Sequence, residues 1–145
     1  NLAALLAKVN HPNKGVMLDV GHLMNTNPAL RTQAEGVEYA LSTLRQLGSL
    51  SEWIRGVHLH YSLPEKYLSQ SGECPPQAGF AEVMEHILNI DQHRPFSDPA
   101  VGRIVETLRP DYLVHEFLYR SLTELKNNLQ IQQGALRTFS RQGKL

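Results

Sequence analysis

The chain has 145 residues, of which 41% are hydrophobic and 19% charged, with 14 Lys and Arg set against 14 Asp and Glu. This is globular composition, enough for a single domain over 1–145, and it excludes disorder. The balanced charge draws the chain towards neither nucleic acid nor an anionic membrane, no apolar run approaches the ~20 residues that span a bilayer, and the single cysteine, Cys74, excludes an internal disulfide framework.

The first residues, NLAALLAKVN, are helical in pattern and too short and mixed for a signal peptide. They lack an initiator Met, which suggests a fragment or a processed chain. The lone cysteine fits a reducing compartment, and a cytoplasmic setting is expected. A strand is expected near 15–20, in KGVMLDVGH, where apolar residues fill most positions as in a strand buried on both faces. Val37, Ala40, Leu41, Leu44 and Leu47 then repeat at helical spacing up to Gly48. A second strand is expected near 55–61, in IRGVHLHYS, and an insertion over 62–79 follows, its Ser, Gly and paired Pro marking a surface loop. Phe80, Val83, Met84, Ile87 and Leu88 form another helical stripe. Ser97-Asp98-Pro99 reads as a helix start before Val101, Ile104, Val105 and Leu108. PDYLVHEFLY holds a third strand near 112–117, and a capping box of Ser121 and Glu124 opens a last helix over 121–139. Strands separated by helices imply an α/β fold with a parallel sheet and right-handed crossovers.

Each strand carries chemistry at its carboxyl end, which is where parallel α/β sheets bind ligands. The first ends with Asp19 and His22. The second holds His58 and His60, two apart and therefore on one face. The third ends with His115 and Glu116, and NIDQHRPF adds Asp91 and His93. Imidazoles and carboxylates together suit a divalent transition metal. Taken singly, each group has a plainer reading. Asp19 can cap a turn, His58 can be a core histidine, and Asp91 and His93 can be a helix end before Pro95. His115 alternates with Glu116 and is expected to face the helices, and Trp53 and the helical stripes are expected to be core. Glu116 within the apolar run YLVHEFL is harder to explain without a cation, because an unpaired buried carboxylate is costly.

The motifs LDVGH, RGVHLHYS, DQHRP and LVHEF, in that order, resemble those of the xylose-isomerase-like TIM-barrel superfamily, which includes sugar and sugar-phosphate isomerases and epimerases and endonuclease IV. The resemblance covers about 15–117 and implies that the chain is the C-terminal portion, about three β/α units, of a (β/α)8 barrel. It implies Asp19, His58 and Glu116 as metal ligands, and Glu116 and His22 as catalytic residues. It places His22, His60, Asp91 and His93 as substrate-binding residues or ligands of an additional metal, with His60 the alternate to His58. Tyr61 stands where the superfamily usually has Asp, and RPFSDP replaces its usual GxG.

The implied activity is a divalent-metal-dependent sugar or sugar-phosphate isomerisation or epimerisation, with proton transfer through a metal-stabilised enediolate; the ion would be Zn, Mn, Mg or Co. The alternatives are an endonuclease IV-like zinc phosphodiesterase acting on DNA, which the zero net charge does not support, and a non-catalytic barrel-derived scaffold. The expected partner is a small-molecule sugar or sugar phosphate, with no membrane. Three β/α units leave two sheet edges open, so the 145-residue chain is expected to be inactive alone and to associate, as a homo-oligomer or with an N-terminal barrel half.

Overall fold

The computed structural model describes residues 1–70 and 79–142. Three short parallel strands, β1 (Val16–Asp19), β2 (Ile54–His58) and β3 (Tyr112–Val114), form one sheet in the order β1-β2-β3. The chain enters through α1 (Leu2–Lys8) and crosses from β1 to β2 through α2 (Val20–Asn25) and α3 (Gln33–Leu47). It crosses from β2 to β3 through α4 (Pro64–Gln70), α5 (Phe80–Ile90) and α6 (Gly102–Leu108), and ends in α7 (Leu122–Gln142). This is the α/β order expected, with helices flanking a small open sheet. No helix among the described residues is long and apolar enough to cross a membrane.

Local chemistry accounts for the boundaries. Thr32 and Glu35 close a capping box at the start of α3, and Gly48, at φ 55°, stops it in a conformation that favours glycine. Asp98 caps the 3-10 turn Pro99–Val101 that leads into α6, where the missing N–H of Pro99 is not needed. At α7 the Ser121 hydroxyl accepts the Glu124 amide at 3.1 Å, while the Glu124 carboxylate reaches one residue further back, to the Arg120 amide at 2.7 Å.

The strand pairing puts Leu18, Val57 and Leu113 in one row, and this row faces the helices. There the core gathers Val20, Met24, Val37, Leu41, Leu44, Val57, Leu59, Phe96 and Ile104. Each such side chain stabilises by about 1.5–3 kcal/mol when fully buried. The strands are shorter than expected because the apolar runs continue past the sheet into the core: Val20 already belongs to α2, and Leu59 is fully buried beyond the end of β2.

Two expectations fail on burial. The strands are covered on one face only: Met17, Tyr112 and Val114 on the other are 48%, 67% and 40% exposed. An apolar run shows that both faces avoid water, and in this chain no described segment covers the second. The α5 stripe is not core either. Phe80 is 83% exposed, Met84 and Ile87 are also exposed, and only Ile90 at its end is buried; the side chain of Leu88 lies outside the described residues. Trp53, expected to pack, is exposed as well, with the Lys14 ammonium 5.3 Å from its ring centroid. Of the expected insertion, 64–70 is helical, and 71–78 with Cys74 lies outside the described residues.

Candidate metal centre

The carboxyl ends of the three strands meet at one rim. Asp19 ends β1 and caps α2, its Oδ1 accepting the His22 amide at 2.9 Å. The plain reading of Asp19 as a turn cap is thus correct, and it does not exhaust the residue. The same Oδ1 lies 3.0 Å from His60 Nε2, and Oδ2 lies 3.4 Å from His58 Nδ1. The first turn of α2 returns His22 over the strand end, with Nε2 3.6 Å from Asp91 Oδ2 and 4.0 Å from Asp19 Oδ2.

Past β2, two backbone hydrogen bonds between Tyr61 and Arg94, at 2.9 and 3.0 Å, set the register of the segment after α5 against the strand exit. One residue before each partner stand His60 and His93, whose rings stack with centroids 3.8 Å apart and planes 12° off parallel. His60 is fully buried, and His93 adopts a φ of 36°, an uncommon conformation for a residue with a side chain. Asp91 caps the end of α5 and its Oδ2 pairs with His93 Nε2 at 3.0 Å.

Glu116, two residues beyond β3, points to the same rim. Its Oε2 lies 2.8 Å from His58 Nδ1 and 3.8 Å from His60 Nε2. The near approach of His58 is not aligned as a hydrogen bond, so Oε2 is a buried acceptor without a donor. Asp91 Oδ1 and the Nδ1 atoms of His60 and His93 are likewise buried and unpartnered. Such orphaned atoms are uncommon in native proteins, and their gathering in one cluster suits an ion.

All seven side chains singled out at this rim, Asp19, His22, His58, His60, Asp91, His93 and Glu116, are linked by these contacts. Two groups of three have ligand atoms mutually within 4.8 Å: Asp19 with His60 and Glu116, and His22 with His60 and His93. Two ligands each ~2.1 Å from an ion lie at most ~4.2 Å apart, so the observed 3.0 and 3.8 Å from His60 Nε2 to the two carboxylates already fit. Both groups contain His60 where the resemblance puts His58 first. His115 turns the other way, to the helix side, where its Nδ1 accepts from the Gln132 amide at 2.7 Å.

The electrostatics agree. Burial pushes the Asp19 carboxyl up, but the His60 hydrogen bond, the His22 amide and the nearby imidazoles hold it far below the usual carboxylate range. Asp91 is lowered against its own burial by His93. Burial pushes the His93 imidazole down, yet the Asp91 carboxylate, aided by Glu116 and Asp19, raises it. Burial alone lowers His115.

Two supporting residues escape a reading of motifs. Gly21, inside LDVGH, lies directly against the His60 ring: a Cβ there would overlap its Cε1 and Nδ1 and stand 2.9 Å from Nε2. Gln132 is fully buried on α7; it donates to the Leu59 carbonyl at 2.8 Å and to His115, and accepts the Phe96 amide at 2.9 Å. One side chain thereby ties the exits of β2 and β3 to the segment after His93. Its sequence signal was a polar residue on the stripe Leu125, Leu129, Gln132, Leu136.

Comparison of the chain with family models, curated proteins and solved structures gives no match.

Proposed function

We propose that the chain forms the divalent-metal mouth of a xylose-isomerase-like barrel, of which it supplies about three β/α units, and that the activity is isomerisation or epimerisation of a sugar or sugar phosphate. The observation that carries this reading is the convergence of Asp19, His60 and Glu116, each from the end of a different strand, on ligand atoms within 4.8 Å of one another. The parallel sheet with helices on one face and an uncovered second face supports the barrel. That face, and two free edges, also support association with further barrel strands or a second copy.

Asp19, His60 and Glu116 would hold the ion, with His58 in reach of both carboxylates. The imidazole share favours Zn, Mn or Co over Mg, which prefers an all-oxygen set. The ion, when bound, supplies Lewis-acid polarisation of a substrate oxygen. The remaining work falls to the side chains. Glu116 accepts the proton from the carbon next to the carbonyl and returns it. His22, 49% exposed at the rim, donates to a sugar hydroxyl and orients it. Asp91 pairs with the His93 imidazole, raises its pKa, and holds it against His60.

The test is exchange of a substrate carbon-bound proton with D2O, followed by NMR over a panel of aldoses, ketoses and their phosphates, with the N-terminal half of the protein present. Chelator-sensitive exchange that is lost in Glu116→Gln is expected. Cleavage of DNA at abasic sites without any sugar exchange would favour the phosphodiesterase, and absence of tight metal binding would favour a scaffold.

A further inference from the structure

Beside His93 the surface opens into a cleft of about 400 Å³ between the segment after α5 and the start of α7. Arg94 lines one wall and Arg120 the other. The arginine ion pairs found among the described residues are Arg55 with Asp111 and Arg103 with Glu38, so no described carboxylate pairs with either cleft guanidinium. Glu124 is the one acid on the lining, and its carboxylate already accepts the Arg120 amide.

Two guanidinium forks on the walls of one cleft suit the several oxygens of a phosphate monoester. We propose that this cleft is the subsite for the phosphate end of a phosphorylated polyhydroxy substrate. Arg94 and Arg120 bind the phosphate. His93, which borders both the cleft and the cluster, marks the passage to the reacting carbons at Asp19 and Glu116. The proposal rests on the reading of the cluster as a metal-dependent sugar site and names the substrate class as phosphorylated. A nucleic-acid phosphodiester offers the same oxyanion, but this chain has no net positive charge to track a backbone.

The test is calorimetry on the zinc-loaded protein with ribose 5-phosphate, ribose, inorganic phosphate and a DNA oligonucleotide as probes. Arg94→Gln and Arg120→Gln are each expected to weaken ribose 5-phosphate about tenfold or more, leaving ribose and zinc affinity unchanged. Phosphate and ribose 5-phosphate binding that is equal in the wild type and the double Arg variant overturns the proposal, as does Arg dependence seen with the oligonucleotide alone. Zinc binding by Asp19→Asn with Glu116→Gln tests the underlying reading separately: unaltered zinc affinity sinks the metal site, whatever the arginines do.

Discussion

Replacing Gly21 by Ala sets local helix stability against the site. In a helix, Ala is favoured over Gly by at most about 1 kcal/mol. At this position, in the first turn of α2, the added methyl would overlap two atoms of the His60 ring, where non-bonded carbons normally keep ~3.5–4.0 Å. His60 is fully buried and stacked on His93, so it has no open space to retreat into. Overpacking of this kind costs about 1–3 kcal/mol, and subtracting the helix gain leaves a net loss of about 0–2 kcal/mol. The larger effect falls on the cluster. A displaced His60 loses its 3.0 Å contact with Asp19 and leaves both candidate ligand groups at once, so metal affinity should drop about 10–100-fold. Urea unfolding gives the stability change, and competition with a zinc indicator gives the affinity. The control is the same substitution in a His60→Ala background, where the overlap is gone and Gly21→Ala should be neutral or stabilising. Wild-type zinc affinity in Gly21→Ala, or an equal stability loss in the His60→Ala background, would refute the reasoning.

Gln132→Leu strands the Phe96 amide and the Leu59 carbonyl in the core; urea titration should show a loss of about 2–4 kcal/mol, and a loss below ~1 kcal/mol would mean that Gln132 is not the clamp described. In the metal-free protein, Asp19 and Asp91 are lowered, so their contribution is present above the unfolded carboxylate pKa of ~3.9 and is lost as pH falls through their folded values. His93 is raised, so its contribution is complete below the unfolded ~6.5 and is lost as pH rises through its folded value. Urea midpoints across pH, together with the His93 titration by NMR, check both signs; an NMR pKa for His93 below ~6.5 would contradict the second. The uncovered sheet face predicts that the isolated chain self-associates; sedimentation that shows a monomer with cooperative unfolding in dilute solution would count against this.

The alternation of periods was legible in the sequence because strand and helix spacing are local properties. α3 stops at Gly48 and α6 starts behind Asp98-Pro99 as the residues dictate. The rim was legible because a parallel sheet sends all its strand ends the same way, which brings Asp19, His60 and Glu116 together although 97 positions separate the first from the last. Where β1 ends was not legible. Val20 continues an apolar run, and only the Asp19 cap turns it into α2. Nor does an amphipathic stripe say whether anything packs on it, so the exposure of Phe80 on α5 could not be foreseen. Nor does any motif record the bridge of Tyr61 to Arg94, between segments 33 residues apart, or the stacking of His60 on His93. Gly21 and Gln132 act through other residues: their value lies in what fits against them.

The most direct test is anomalous diffraction at the zinc edge from zinc-soaked crystals. A single peak within ~2.0–2.2 Å of ligand atoms from Asp19, His60 and Glu116 is expected. A rim with no peak, or an ion held without either carboxylate, would contradict it.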